Sequence, residues 1–379
     1  MPSTTNYAIP YPSSSDVVAQ GYQNIQNVAS SVDALLGTEA FMGGFRNKII
    51  NGGMGIWQRG AGPFSSPSGA YTADRWLLAY TTSTISVSRS ALTPTELATA
   101  GAPQSLRYSL RAAVVAGAGV NDYAVVSQRI ENVGTLAGRT VTVSFWATAS
   151  AGSPKVGVSL DQIFGTGGTP SARVDGTGQA VTTSASGWTR YSMTFAVPSI
   201  SGKTLGTNGD DYLQLNLWLD AGSSLNTRTG SIGHQSSTIG IFGVQLEDGS
   251  YKTRFEDRPP QVELALCQRY YEKTYRIDTA PGTNTQDGLY LGSVATGSGG
   301  NVETTHRFAV PKRSGSYTVT TYVSTGTAGS WTYWRNGASA NTAATIVDLA
   351  QGGFRLWHST GGAWVVSLTY GHWVADAEL

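Results

Sequence analysis

Beyond about residue 45 the apolar positions recur every second residue. Val141, Val143, Phe145 and Ala147 alternate with Thr140, Thr142, Ser144 and Trp146. Tyr191, Met193, Phe195 and Val197 alternate with Arg190, Ser192, Thr194 and Ala196, and Leu213, Leu215, Leu217 and Leu219 with Tyr212, Gln214, Asn216 and Trp218. Strands with one apolar face, separated by Gly, Ser, Pro and Asn turns, predict a two-sheet antiparallel sandwich. Along Ile239, Ile241, Phe242, Val244 and Leu246 the apolar phase slips by one residue, and Gly243 beside the slip predicts a β-bulge or bend.

The N-terminus follows another period. Residues 1–13 are polar and carry Pro2, Pro10 and Pro12, as an extended arm would, and Ser13 to Asp16 supply an N-cap. Val18, Gly21, Ile25, Val28, Val32 and Leu35 then fall alternately three and four residues apart, an a/d seam that stops at Gly37. A seam this short cannot hold up an isolated helix. It suits a small collar of helices in an oligomer, or an amphipathic helix docked on its own domain.

Arg258-Pro259-Pro260 marks a boundary, since paired prolines favour an extended connection. Gln261 to about Tyr275 reads as one short helix with Val262, Leu266 and Arg269/Tyr270 on a face. Strands return over 287–379, at Leu289–Leu291, His306–Val310, Tyr317–Val319, Trp331–Tyr333, Phe354–Leu356 and Val365–Thr369, as a second, smaller β-sandwich. The expected organisation is a 1–40 arm and helix, a 41–258 jelly-roll sandwich, and a 259–379 linking helix with a distal β domain. The fold class is mainly β.

Composition narrows the function. Charged residues make up 13% of the chain, against about 25% in an average globular protein. A net charge of +1 argues against nucleic acid or an anionic membrane as the main partner. The single cysteine, Cys267, excludes an internal disulfide framework and a Cys-rich metal site. No apolar run approaches the length of about 18 residues that a membrane helix needs, and no basic-then-apolar leader opens the chain. Membrane insertion is not expected.

Several stretches together resemble a known family. Ile50-Asn51-Gly52-Gly53-Met54-Gly55-Ile56-Trp57-Gln58-Arg59-Gly60, Thr72-Ala73-Asp74-Arg75-Trp76, Ser127–Val133, Leu136–Trp146 and Gly243–Ser250 are similar to the carbohydrate-binding-module-like jelly roll of bacteriophage tail fibres. Tyr7–Pro12 and the short helix resemble the virion-attachment segment of such fibres, and Phe308–Arg313 and Gly371–Leu379 their distal domain. The resemblance implies a homotrimeric receptor-binding protein, made in the host cytoplasm and working in the virion. Residues 1–40 would dock on a tail or adaptor protein, and the distal end would meet host surface polysaccharide. A connector fibre segment that docks a separate receptor-binding protein is the alternative.

Sugar recognition needs aromatic faces to stack on pyranose rings, with amides or carboxylates beside them for the hydroxyls. Tyr212, Gln214, Asn216 and Trp218 offer that chemistry on one strand face, which Gln128 and Trp146 would join; the same face would equally serve packing inside the body. The second candidate is the tryptophan-rich end: Trp331, Tyr333, Trp334, Arg335, Trp357, His358, Trp364, His372 and Trp373. Trp331, Tyr333 and Arg335 share one face of a strand and Trp334 takes the other, so these residues divide between core or interface and a binding surface. The distal position favours this end for the receptor.

Hydrolytic chemistry is poorly supported. It needs two carboxylates roughly 5–9 Å apart, and Asp210/Asp211, Asp220, Glu247/Asp248 and Glu256/Asp257 sit at strand ends or turns, as solvated groups or ligands of a structural calcium would. His234, His306, His358 and His372 show no metal-ligand spacing. No catalytic residue, cofactor or metal site is assigned, and the expectation is a non-enzymatic protein.

Overall fold

The computed structural model describes residues 18–37, 45–293, 301–335, 338–359 and 366–379. The N-terminal arm, its capping serines and Trp364 lie outside them. The first element, α1 (Val18–Gly37), coincides with the heptad stretch. Among the described side chains of its seam, Ile25 is 67% and Val32 37% exposed in the single chain, while Gly21 and Val28 are half-buried.

Ten strands form two five-stranded antiparallel sheets. The first runs β1 (Leu77–Tyr80), β4 (Tyr123–Glu131), β9 (Tyr212–Ala221), β6 (Lys155–Ile163), β7 (Gln179–Thr182). The second runs β2 (Thr84–Ala91), β3 (Tyr108–Val115), β10 (Ser237–Asp248), β5 (Thr140–Ala149), β8 (Thr189–Ala196). The chain crosses repeatedly from one sheet to the other, a jelly-roll-like sandwich. The predicted alternation decides what fills it: Leu213, Leu215, Leu217 and Leu219 meet Val141, Val143, Phe145, Ile239 and Ile241 in one core. The slip in β10 is a bulge, with the register to β5 shifting between Phe242 and Gln245. Gly243 sits there at φ +61, and a Cβ on it would lie 2.4 Å from the Trp146 ring.

Two short helices were not expected. In α2 (Pro94–Thr99) a capping box between Thr93 and Glu96, with Pro94 opening the helix, stabilises six residues that bury only Leu97. The other, α3 (Asn226–Thr229), ends at Gly230 in the left-handed region.

The linking helix α4 (Pro260–Gln268) is shorter than expected. Tyr271-Glu272-Lys273 leave it to form β11 (Tyr271–Lys273), paired with Val374–Asp376 and buried on all three residues. A β-ladder and burial together override weak helical periodicity. Cys267 is buried in α4, the expected default for a small apolar residue.

The remaining strands are β12 (Tyr290–Ser293), β13 (Asn301–Arg307), β14 (Thr318–Tyr322), β15 (Ser330–Arg335), β16 (Ala338–Ala350), β17 (Gly353–Ser359) and β18 (Val366–Asp376). One antiparallel sheet links them, β11-β18-β15-β16-β17-β13, with β12 and β14 also on β18. Long strands change partners along their length: β18 holds β12 and β15 by its first half and β11 and β14 by its second. The sheet thereby folds around its own core of Trp331, Phe354, Leu356, Trp373 and Ala375. β13 ends at Arg307, so Phe308 and Val310 lie beyond the strand in which they were expected; Phe308 still packs on this core. β16, made mainly of Ala and Thr with no strong apolar alternation, escaped the sequence reading.

Candidate functional site

On the first sheet the outer face can be read row by row. Ser127, Asn216 and Ser159 lie side by side; so do Arg129, Gln214 and Asp161, and Val125, Trp218 and Gly157. The predicted Tyr212–Trp218 face therefore exists, but half of it is sealed. Asn216 is 1% and Trp218 3% exposed. Asn216 Nδ2 donates to Asp161 (2.6 Å), its Oδ1 accepts from Ser127 (2.8 Å), and Trp218 Nε1 donates to Ser159 (3.0 Å). The buried Asp161 carboxylate also takes Arg173 (2.6 Å) and Arg228 (2.8 Å), whose guanidinium lies 4.9 Å from the Trp218 ring. A Cβ on Gly157 would lie 2.4 Å from the Thr229 carbonyl oxygen, so the α3 segment rests directly on the sheet. Trp218 and Asn216 are thus packing groups, a correction to the expected open groove. Tyr212 and Gln214 stay half-buried at its other end, with Arg129 5.0 Å from the Tyr212 ring.

Gln128 and Trp146 do not join that face. Gln128 pairs with Leu215 and so points to the opposite side, where its amide accepts from Ile50 N and donates to Ile50 O, both at 2.8 Å. Trp146 belongs to the second sheet and is 2% exposed. It stacks on Phe242 at 5.4 Å and donates to the Ala100 carbonyl at 3.0 Å, under α2.

The tryptophan-rich end also divides. Trp331 is fully buried and donates to Thr369 (2.7 Å); Trp373 is 5% exposed in the same core. Tyr333 is 8% exposed and stacks on the buried His358 at 5.7 Å. His372 is buried, stacked on Tyr275 at 3.8 Å. Burial pushes His306 and His358 down to about 4 and lowers His372 as well. These five candidates, Trp331, Tyr333, His358, His372 and Trp373, are core, which corrects their assignment to a surface. Arg335 lies at the end of β15.

The other face of the same strands is more exposed, with Thr332 (4% exposed) its buried centre. Trp334, 39% exposed, is level with Ser339 on β16 and Leu368 on β18. Two residues along, Tyr370, Thr332 and Asn341 form the next row, with Thr332 donating to Asn341 Oδ1 at 2.9 Å. Further down β16 the half-buried Trp357 is level with Thr345 and Glu303. Because 339, 341, 343 and 345 share one face of a strand, Trp334, Tyr370 and Trp357 all look outward from a continuous surface of hydroxyls and an amide. Tyr370 was missed, since its place beside Thr332 depends on the pairing of two distant strands.

The signature stretches turn out to form a joint between the two β regions. Asp74, fully buried, accepts from Gln58 N (2.9 Å) and Nε2 (2.5 Å), and burial raises its pKa. Gln58 also donates to the Tyr271 carbonyl at 2.8 Å. The Arg59 guanidinium sits 3.6 Å from the Tyr271 ring, and that of Arg75 3.5 Å from the Tyr270 ring. Arg75 pairs with Glu378, and Arg59 with Asp376 (3.2 Å) and Glu378 (3.4 Å). Lys273 donates to the carbonyls of Gln58, Ile277 and Thr279, and burial pulls it down to about 8. Beside this joint an open cleft of about 220 Å³, floored by Leu106 and Phe255, contains none of the expected sugar-binding residues.

The carboxylates weighed for hydrolysis are taken up structurally. Asp220 holds Ser83, His234 and Gln235; Glu247 holds Thr253; Glu256 accepts from Phe45 N and Asn47 N. Among the described residues no cluster of His, Cys, Asp and Glu could hold a metal.

No protein-family model matches the chain, and no curated protein does. Solved structures are similar to it at low identity. The enzymatically active domain of bacteriophage CBA120 tailspike protein 4 aligns at 16% identity and TM-score 0.30, over 54% of this chain and 22% of that one. The chain thus spans about a fifth of the tailspike structure. A family 11 carbohydrate-binding module from Clostridium thermocellum, in complex with a β-1,3-1,4-mixed-linked tetrasaccharide, aligns at 8% identity and TM-score 0.30 over 51% and 96%. A xylan-binding domain from Paenibacillus barcinonensis aligns at 12% identity and TM-score 0.27 over 51% and 99%.

Proposed function

We propose that the protein is a non-enzymatic attachment fibre that recognises surface glycan through the outer face of its C-terminal β region. The observation that carries this reading is the outward placement of Trp334, Tyr370 and Trp357 on one exposed sheet surface, beside Asn341, Ser339 and Thr345. Aromatic faces for stacking and short polar groups for hydroxyls are what a pyranose requires. The open seam of α1 supports self-association, and residues 1–40 would hold the fibre to a phage tail as a homotrimer. The sandwich then acts as a body, its outer face closed by Asp161, Arg173 and Arg228. Weak single sites would act together through multivalency.

A glycan array and binding to host cells test this directly, with Trp334→Ala and Trp357→Ala as variants. Binding lost in these, in protein that still folds, supports the reading. Absence of glycan and cell binding together with a tight protein partner at the distal end would favour the connector fibre instead. Light scattering that gives a monomer mass would remove the trimer.

A further inference from the structure

The arrangement of charge and aromatics on the C-terminal face goes beyond glycan binding in general. Trp334 is level with residue 339 of β16 and Trp357 with residue 345. Six residues of strand separate them, about 20 Å. Among the described residues the strand between them is open: Ser339, Asn341, Ala343 and Thr345 are all exposed. A terminal sugar is gripped in an enclosed pocket, whereas a row of separated platforms fits successive residues of a polymer.

Charge is balanced along the same face. Arg355, one row beyond Trp357, is held by Asp348 (2.6 Å from its Nε) and by Glu303 (2.7 Å). Its five donors are thus largely spent on two carboxylates rather than offered to a ligand anion. Arg307 faces the same way opposite Gly353, on the far side of Arg355 from Trp334 and outside the span between the two tryptophans. From Trp334 to Trp357 the ligand would meet aromatic rings, hydroxyls, one amide and the apolar Leu368 and Ala343, with the Glu303 carboxylate beside Trp357 and no unpaired cation among the described side chains.

We infer that this face takes an extended internal stretch of an uncharged polysaccharide, several sugars long, and discriminates against uronate-bearing, sialylated or sulfated chains. The inference rests on the glycan reading above and specifies its ligand. The full chain is titrated by calorimetry with neutral oligosaccharides of glucan, mannan and galactan type, from monosaccharide to octasaccharide, and with polygalacturonate and heparin as acidic probes. Affinity for at least one neutral series should rise with length until the span is filled, and change little between low and high salt. Trp334→Ala and Trp357→Ala should each cost roughly tenfold on the long ligand, and far less on a disaccharide for whichever tryptophan the short ligand does not reach. Binding only to the acidic polymers, weakened by salt, would overturn the inference while leaving glycan recognition standing. Full affinity already at the monosaccharide would also overturn it. Failure to bind any of the probes, with a glycan array equally silent, would instead remove the underlying reading.

Discussion

Acid should dismantle the C-terminal β region, and the structure sets how far. His306 and His358 are 2% and 0% exposed. His306 lies flat on Phe354 at 4.9 Å, with Trp331 and Trp373 edge-on around it. His358 bonds Thr369 at 2.9 Å. Each has one ring nitrogen, Nδ1, buried without a hydrogen-bond partner. Burial holds both folded values at about 4, against an ordinary 6.5. Unfolded chains therefore bind more protons in that interval. The stability is fully present above about pH 6.5 and is lost progressively as pH falls through 4. At pH 4.5 the loss is about 2.5 kcal/mol per ring, about 5 kcal/mol for the pair, a large part of a domain's usual margin of about 5–15 kcal/mol. Urea unfolding followed by tryptophan fluorescence at pH 7 and 4.5 measures it, since five of the ten tryptophans lie in this region. A variant carrying His306→Phe and His358→Phe keeps ring-sized groups in both sites and removes the titration. Its unfolding free energy should change between the two pH values by about 5 kcal/mol less than that of wild type. An equal pH slope in the two proteins would refute the argument.

Three other outcomes follow from the packing. Trp331→Ala should cost about 3–5 kcal/mol by emptying the C-terminal core, while Trp334→Ala stays within about 1 kcal/mol; comparable losses in chemical denaturation would contradict the division into core and surface. Gly243→Ala forces a side chain into the left-handed bulge and against Trp146, and should destabilise by about 1–3 kcal/mol, seen as a lower thermal midpoint. Glu378→Gln leaves the Arg75 guanidinium, 1% exposed, without its carboxylate. It should cost about 3 kcal/mol or more and split calorimetric unfolding into two transitions if the joint couples the two β regions.

The alternation of apolar residues was enough to determine the sandwich, the core leucines of β9 and the bulge at Gly243, because a strand's two faces are decided by local period alone. The same holds for α1, whose three-four spacing needs no tertiary information. What lay beyond the sequence is which of two chemically similar faces stays open. Trp218 and Trp334 read alike as aromatic residues on polar faces; one is covered by the α3 segment, whose Arg228 and Thr229 carbonyls rest on glycines 178 and 157, the other is not. For Trp331 and His358 the sequence left core and surface open; the pairing of β15 with β18, and of β17 with β13 and β16, turned both inward. The joint made by Gln58-Arg59 and Asp74-Arg75 was not legible locally, because the partners Tyr270, Tyr271 and Glu378 are 195 or more residues away, Arg75 to Tyr270 being the shortest separation. Local periodicity sets which side of an element is apolar; only the packing of distant segments determines which polar side meets solvent and which becomes a joint.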